Sequence, residues 1–178
     1  MVPKAPLERT EEGLVAAGEG WFVLNAREAR WRHREGRGDS LPFEGATDFP
    51  QVGINLFVLG PGEPIGMYHW EADQEDFLLL SGEALLLVEG QERPLRPWDF
   101  VHCPPKTNHM IVGAGAVPCV VLAVGARVPR EVGWGGYTVD EVALSHGAGV
   151  ERETSDAEEA YARFPDPVST SYREGWLP

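Results

Sequence analysis

Twenty-one glycines and 15 prolines are spread along the whole chain of 178 residues and divide it into many short apolar runs. Proline disrupts helix interiors and central strands, glycine weakens both, and the two residues are common in turns. Long helices therefore find little room in most of the sequence. Short strands joined by tight turns fit the pattern, which is typical of an all-β sandwich or barrel.

The clearest strands are predicted in the middle of the chain. Gln51–Gly60 alternates, with Asn55 and Phe57 on one face and Ile54, Leu56 and Val58 on the other. Further strands are predicted at Asp76–Ser81, Glu83–Glu89, Glu92–Leu95, Asp99–Cys103, Asn108–Val112 and Val117–Val124. The first of these is apolar on both faces, so we expect both of its faces to be covered.

Three parts are expected along the chain. Residues 1–50 are interpreted as a polar N-terminal leader with short strands, residues 51–127 as the barrel core, and residues 128–178 as a C-terminal extension. Within the first part, strands are predicted at Trp21–Asn25 and Ala29–His33. A polar loop is predicted at 36–50 because this segment contains several glycines and prolines.

The C-terminal part is expected to hold two short helices and a tail. Thr138 and Ser155 each precede a glutamate by three residues, a spacing that predicts a capping box at a helix start. Gly147 is placed to end the first helix. The end of the chain after Arg163 is rich in proline and aromatic residues, and we expect it to lie as an extended tail across the barrel or a partner subunit.

The charge and the apolar runs exclude several classes of partner. The net charge of −13 argues against binding to nucleic acid or to anionic membranes, since both rely on cationic surfaces. The first residues lack the apolar core of a signal peptide, and no apolar run approaches the roughly 20 residues of a membrane span. We therefore expect a cytoplasmic protein. Cys103 and Cys119 are expected to be reduced thiols without a metal or redox motif.

The segment from Gly62 to Gly82 brings a histidine and carboxylates together at even spacings. His69 and Glu71 lie two residues apart and can point to one face of a strand, and Glu75 follows an even step later. Imidazole nitrogens and carboxylate oxygens together suit intermediate to hard divalent metals. His109, from a later strand, is the candidate for a second histidine.

The order of these residues resembles the two sequence motifs of the cupin family. The first motif matches through Gly62, His69, Glu75 and Gly82, with Glu71 in the position of a second histidine. The second matches through Asp99, Pro104 and His109, and the resemblance covers about 52–125. It implies a double-stranded β-helix, or jelly-roll barrel, often dimeric, with a metal in the barrel mouth. Within the family, the flanks are most similar to uncharacterised single-domain cupins.

Three residues depart from the family pattern. Glu71 stands where the second histidine of the first motif usually is. Trp98 and Lys106 stand where glycines usually precede Asp99 and follow Pro104. The last two changes concern the geometry of turns, and Lys106 also brings a cation near the barrel mouth. Glu71 concerns the chemistry of the site.

Three states of the site are compatible with the resemblance. In the first, His69, Glu71, Glu75 and His109 all bind a divalent ion such as Mn, Fe, Ni or Zn. In the second, Glu71 points away and the other three residues form a set of two histidines and one carboxylate. In the third, the carboxylates bond to the histidines and no metal is present.

The function expected from the resemblance is action on, or binding of, a small polar molecule resembling a sugar or an organic acid. Glu71 and Glu75 are the candidate catalytic residues, as groups that can bind metal or move a proton. Isomerase or lyase chemistry is favoured over oxygenation, because an extra carboxylate can occupy a position that oxygen needs. The alternative is a binding or sensing module without turnover. A homodimer is expected in either case.

Several other residues have an open role. His102 and Cys103 face opposite sides of their strand, and the sequence leaves open which one faces inward. Five arginines between Arg27 and Arg37 can bind an anion or pair with the chain's own carboxylates. Asn55, Phe57 and Phe77 are candidates for the lining of the pocket, although for the two phenylalanines core packing is the favoured interpretation.

Overall fold

A computed structural model describes residues 1–127 and 133–178 of the chain. Its described residues form fourteen strands and two short helices. In chain order the strands are β1 (Leu7–Arg9), β2 (Leu14–Ala16), β3 (Arg30–His33), β4 (Asp39–Pro42), β5 (Val52–Leu59), β6 (His69–Glu71), β7 (Glu75–Ser81), β8 (Ala84–Val88), β9 (Gln91–Leu95), β10 (Phe100–Cys103), β11 (His109–Gly113), β12 (Cys119–Ala126), β13 (Gly135–Tyr137) and β14 (Val168–Ser171). The helices are α1 (Glu141–Ser145) and α2 (Ala157–Tyr161).

Two antiparallel sheets face each other. The larger sheet has the strand order β10-β7-β12-β5-β4-β3-β14, and the smaller sheet has the order β13-β6-β11-β8-β9. Strands β1 and β2 form a separate hairpin. From β5 to β12 each strand lies in the sheet opposite the strand before it, except that β8 and β9 form a hairpin within the smaller sheet, and this crossing between sheets is typical of a double-stranded β-helix. The all-β jelly-roll fold predicted from the sequence is therefore confirmed.

The main hydrophobic core lies between the two sheets. Phe57 and Leu79 enter it from the larger sheet, and Leu86 and Ile111 enter it from the smaller one. Asn55 and Phe57 share one face of β5, while Leu56 and Val58 pack into a second cluster on the outer face, as their alternation predicted. The inner cluster supports the walls of the barrel below its mouth.

The C-terminal extension covers the outer faces of both sheets. β14 pairs with β3, and the residues that follow it pack on the outer cluster around Trp31, whose ring centroid lies 5.0 Å from that of Trp176. On the other sheet, Ala143 and Ala148 pack against Tyr68 in a cluster with Leu87 and Met110. The tail thus lies across the barrel of its own chain, one of the two arrangements predicted.

The predicted two-sided strand is confirmed in β7. Leu79 points into the core between the sheets, while Leu80 packs against the outer cluster. Every β-strand predicted between residues 51 and 126 forms, and the observed strands are β5 and β7–β12. Their ends differ from the predicted ends by at most two residues.

Two predictions in the N-terminal part were wrong. The segment 36–50 was expected to be a loop, yet β4 forms inside it because Leu41 is buried in the outer cluster and β4 pairs with β5. The segment Trp21–Asn25 was expected to be a strand, yet only Trp21 makes an isolated bridge, to Lys4. Tertiary pairing, which local pattern does not report, decided both cases.

Both predicted helices form, but their cap residues differ from those predicted. Asp140 caps α1 by accepting a hydrogen bond from the Ala143 amide at 2.8 Å, and Asp156 caps α2 by accepting one from the Glu158 amide at 2.8 Å. The Thr138 hydroxyl instead donates to Asn108 Oδ1. Aspartate is as favourable at the N-cap position as serine or threonine. Asp140, two residues after Thr138, and Asp156, one residue after Ser155, therefore cap the helices instead.

The two substituted glycines of the motif keep a glycine-like backbone. Trp98 has φ of 76° and Lys106 has φ of 72°, both in the left-handed region that side chains with a Cβ avoid. The Lys106 amide donates to the Glu71 carbonyl at 2.7 Å. The turns of the family motif are therefore preserved at a cost in backbone strain.

Candidate metal site

Three strands from both sheets converge at the barrel mouth. His69 begins β6 and His109 begins β11, and these two residues are directly paired across the smaller sheet. Glu75 begins β7 of the larger sheet, opposite Gly125 of β12. The site therefore joins the two sheets where the barrel opens.

The side chains of these three residues form a compact group. Nε2 of His109 lies 3.0 Å from Oε2 of Glu75, and Nε2 of His69 lies 3.3 Å from the same oxygen. One donor atom from each residue lies within 4.8 Å of the other two, so one ion can contact all three. Two imidazoles and a carboxylate form a donor set used for Mn, Fe, Ni and Zn.

The backbone fixes which nitrogen each imidazole presents. Nδ1 of His69 lies 2.8 Å from the Met67 carbonyl, and Nδ1 of His109 lies 2.9 Å from the Thr107 carbonyl. A carbonyl only accepts, so each Nδ1 carries a proton and donates it. In the neutral rings the lone pairs of both Nε2 atoms therefore face the carboxylate of Glu75, an arrangement typical of metal-binding histidines.

Two atoms of the group are buried without a hydrogen bond. They are Nε2 of His109 and Oε2 of Glu75, which make no hydrogen bond of acceptable geometry despite their proximity. A buried polar atom without a partner costs about 1–3 kcal/mol. A cation between these atoms would satisfy both, so the residues present fit a divalent metal.

The charges of the group shift its pKa values strongly. Burial alone would lower the pKa of His69, but the neighbouring carboxylates of Glu71 and Glu75 raise it to about 10. Burial would also lower the pKa of His109, but the Cys103 side chain and Glu75 raise it to about 9. Burial would raise the pKa of Glu75, but the two histidines lower it to about 2. Without metal, the raised pKa values favour protonated His69 and His109, whose positive charges then stabilise the carboxylate of Glu75.

Glu71 lies beside this group at the mouth. Its Oε1 is 3.6 Å from Nε2 of His69, which is longer than a hydrogen bond. Its side chain is 29% exposed, compared with 16% for Glu75. Glu71 therefore occupies a more open position than the three converging residues and is not part of their compact group.

The site opens into a cavity of about 180 Å³. This volume is below the roughly 300–1,000 Å³ of pockets that hold drug-sized ligands. Asn55, Phe57 and Phe77 line the cavity together with Glu71, and the two phenylalanines also belong to the hydrophobic core, as the sequence analysis favoured. Arg127 also lines it and had not been predicted. Its guanidinium donates to Glu44 at 2.7 Å and to the Phe49 carbonyl at 2.9 Å.

Two aromatic residues near the site were missed by the sequence analysis. The ring of Trp134 lies 5.9 Å from that of His69, and the ring of Tyr137 lies 6.0 Å from it. Both belong to the segment that leads into and through β13. Gly135 permits this approach, because a Cβ there would lie 2.1 Å from the Trp70 carbonyl. Two aromatics flanking a pair of glycines were the only signal available.

The remaining candidates lie away from the cavity or at its side. His102 points outward and bonds to Asp76 at 2.6 Å, whereas Cys103 faces the core. The Gln74 side chain also bonds to Asp76, and not to the site. Both cysteines are free thiols, as predicted.

The arginines between Arg27 and Arg37 have different partners. Arg27 donates to the Pro178 carbonyl at 2.8 Å and lies 3.5 Å from Glu174. Arg37 stacks on the ring of Tyr161. Arg27 and Arg37 therefore do not share one anion-binding patch, which the sequence analysis had considered for this group of arginines.

Comparison with known families identifies the middle of the chain. Residues 55–125 match the family model described as the cupin domain. This range contains all four candidate residues and nearly all of the strands from β5 to β12. No protein of curated function matches the chain.

Solved structures with similar folds cover about half to three fifths of the chain. A protein from Acidithiobacillus ferrooxidans, provisionally described as a sugar phosphate isomerase, is 28% identical to this chain, with a TM-score of 0.45. The match covers 51% of this chain and 61% of that protein, which is less than two thirds of its length. A cupin-superfamily sugar phosphate isomerase from Silicibacter pomeroyi is 26% identical over 61% of this chain and 73% of its own, with a TM-score of 0.48. DMSP lyase from Ruegeria pomeroyi is 23% identical over 54% and 49%, with a TM-score of 0.44. At these TM-scores, the activities of the three proteins carry no argument for this chain.

Proposed function

The chain contains a cupin domain at residues 55–125, and from this premise we propose that it is a metal-dependent enzyme that moves a proton within a small polar substrate. His69, Glu75 and His109 would hold the divalent ion. Glu71 would serve as the proton acceptor and donor at the mouth. The observation that carries the proposal is the convergence of the two Nε2 atoms on one oxygen of Glu75.

The separation between Glu71 and the other three residues supports different roles for the two carboxylates. Glu75 is bound between the histidines, so it is suited to be a ligand. Glu71 is 3.6 Å from the nearest imidazole nitrogen and more exposed, so it can reach a substrate. A general base must come within about 2.6–3.2 Å of the proton it takes. A metal bound here would supply a Lewis acid that polarises a carbonyl or hydroxyl oxygen of the substrate.

The cavity supports a small, polar substrate. Its volume of about 180 Å³ limits the ligand to a few atoms beyond the reacting group. Asn55 and Arg127 provide an amide and a guanidinium in the lining, and both can bind the oxygens of a sugar or an organic acid. Glu71 would remove a proton next to the polarised carbonyl and return it to a neighbouring atom, which balances an isomerisation without any further reactant.

The metal part of the proposal can be tested by calorimetric titration. Chelator-treated protein is titrated separately with Mn, Fe(II), Ni and Zn. His109→Ala should lower the metal affinity by more than about 100-fold. Mutating a residue that only hydrogen-bonds to a metal ligand already lowers the affinity by about 10–100-fold, and loss of a ligand should cost more. His102→Ala is the matched control, since this histidine bonds to a carboxylate on the outer side of the barrel. Equal affinity in wild type and His109→Ala would contradict the metal site.

The catalytic part can be tested by proton exchange. Metal-loaded protein is incubated in D₂O with small sugars, hydroxy acids and keto acids, and loss of C–H signals is followed by NMR. Glu71→Gln should retain metal and lose exchange by at least about 100-fold, the lower range of general acid–base contributions. A ligand that binds but never exchanges or changes would favour the alternative, a binding or sensing module.

Assembly and location stay predictions. β10 is an edge strand of the larger sheet, and Phe100 and Trp98 beside it are 65% and 73% exposed. These apolar surfaces support the predicted homodimer. Among the described residues, no helix has the length and apolar character needed to cross a membrane.

A further inference from the structure

A second cavity lies on the surface, away from the barrel mouth. It has a volume of about 560 Å³ and lies between the β3–β4 turn and the segment around the end of α2. Arg34 and Arg37 line it from the turn, and Tyr161 and Phe164 line it from the other side. None of these residues belongs to the lining of the metal cavity.

The two arginines are held in place by the turn and by the aromatic rings. The Arg34 amide donates to the Gly38 carbonyl at 2.9 Å, and the Arg37 amide donates to the Arg34 carbonyl at 2.9 Å. Cζ of Arg37 lies 3.9 Å from the centroid of the Tyr161 ring and 5.5 Å from that of Phe164. Nη2 of Arg37 donates to the Ile65 carbonyl at 3.1 Å. The position of Arg37 is thus fixed by stacking and by one hydrogen bond.

Neither arginine has a carboxylate partner among the described residues. No carboxylate of that part of the chain forms an ion pair with either guanidinium, and the side chain of Arg34 makes no hydrogen bond there. Nε of Arg34 and Nε of Arg37 are both buried without a partner. Burial and the neighbouring charge of Arg37 lower the pKa of Arg34 to about 10. Two adjacent cations that are partly buried and have no carboxylate partner among the described residues are unusual in a chain with a net charge of −13.

We propose that the cavity of Arg34, Arg37, Tyr161 and Phe164 binds a phosphoryl group that carries a small aromatic or other flat apolar substituent. Two guanidiniums match the charge of a dianion, and arginine binds phosphate oxygens in a fork geometry. The Phe164 ring provides an apolar wall for the substituent, together with the part of Tyr161 that Arg37 does not cover. The site is separate from the metal cavity and does not depend on the proposed function.

Two carboxylates at the rim limit the affinity. Glu158 and Asp166 line the same cavity but form no ion pair with either arginine. Their negative charges repel a dianion, and binding should therefore weaken less steeply with salt than two bare arginines would imply. Removing both charges in Glu158→Gln/Asp166→Asn should strengthen phosphate binding by a few-fold. If the rim carboxylates instead neutralise the arginines in solution, wild type will bind no phosphate and the proposal is wrong.

The experiment is calorimetric titration with inorganic phosphate and with phenyl phosphate at low salt. We expect wild type to bind both, with phenyl phosphate the tighter ligand because its ring contacts the aromatic wall. Arg34→Gln should weaken both by at least tenfold. Arg32→Gln is the matched control, since Arg32 is exposed on β3, two residues before Arg34, and does not line the cavity. An equal loss in the two variants, or no binding by wild type, would overturn the proposal.

Two further variants keep the test decisive. Arg34→Lys preserves charge without the fork, so it should retain the fold and bind phosphate more weakly than wild type, and it replaces Arg34→Gln if the latter does not fold. His109→Ala should bind phosphate as wild type does, because its metal cavity is elsewhere. Loss of phosphate binding in His109→Ala would assign the anion to the metal cavity and contradict a second site.

Discussion

Nε2 of His109 lies 3.0 Å from Oε2 of Glu75, yet both atoms are buried and neither makes a hydrogen bond of acceptable geometry. His69 presents its own Nε2 to the same oxygen at 3.3 Å. The backbone carbonyls of Met67 and Thr107 accept hydrogen bonds from the two Nδ1–H groups and so orient both Nε2 atoms toward Glu75. The strand pairing of His69 with His109 therefore brings together donor atoms that suit a divalent cation.

Glu75→Gln removes the negative charge of the site and preserves its shape. We expect metal affinity to fall by more than about 100-fold, because an amide oxygen is a weaker ligand than a carboxylate and the charge compensation is lost. Glu92→Gln is the matched control, since Glu92 bonds to His146 at 2.7 Å on the surface. Titration with Zn or Mn measures both. An unchanged affinity in Glu75→Gln would show that this carboxylate is not a ligand.

The stability of the metal-free protein should depend on pH in a particular direction. Folding raises the pKa of His69 from 6.5 to about 10 and that of His109 from 6.5 to about 9. Their stabilising contribution is complete below pH 6.5 and is lost as the pH rises through 9 and 10. Glu75, with a pKa lowered to about 2, contributes above pH 4.5 and loses its contribution as the pH falls through 2.

Urea unfolding in the presence of a chelator measures this dependence. The free energy of unfolding should fall between pH 6.5 and 10, and Glu75→Gln should make that slope shallower by lowering both histidine pKa values. Adding Zn should remove the decline, because the metal binds the deprotonated imidazoles. The same slope in wild type and Glu75→Gln would contradict the coupling between these groups.

Lys106→Gly should stabilise the protein by about 0.5–1 kcal/mol. Lys106 is exposed and has φ of 72°, where a residue with a Cβ costs roughly 1–2 kcal/mol, and part of the gain is offset by the greater entropy of glycine in the unfolded chain. Lys106→Ala keeps the Cβ and should change little. Urea unfolding compares the three proteins. Equal stability of the alanine and glycine variants would exclude strain at this turn.

Trp176→Ala should lower the free energy of unfolding by about 2–3 kcal/mol. The Trp176 ring packs against buried Trp31 in the outer cluster and is only partly buried itself, so the loss is below the roughly 3–5 kcal/mol of a core tryptophan. Val23→Ala, at a residue 79% exposed, is the control and should stay within about 0.5 kcal/mol. A loss in the first variant no larger than in the control would mean that the tail does not stabilise the barrel.

The local sequence pattern was sufficient to predict the face of a residue where that face depends only on the geometry of its own strand. The alternation of Asn55 and Phe57 against Leu56 and Val58 follows from the pleat of β5, and it was predicted correctly. The caps of the two helices were misplaced by one or two residues, because serine, threonine and aspartate satisfy a helix start equally well. β4 was missed because its formation depends on pairing with β5 and not on its own composition.

The sequence by itself determined the barrel, its motif spacing and the residue types of the site, since these depend on the period of a strand and on the ligand preferences of metals. Only the tertiary structure decided that Glu71 stands apart from the compact group, that His102 faces outward, and that Arg34 and Arg37 share a cavity with aromatic rings. These outcomes depend on how distant segments meet, and the pairing of strands far apart in the chain is not encoded in local periodicity.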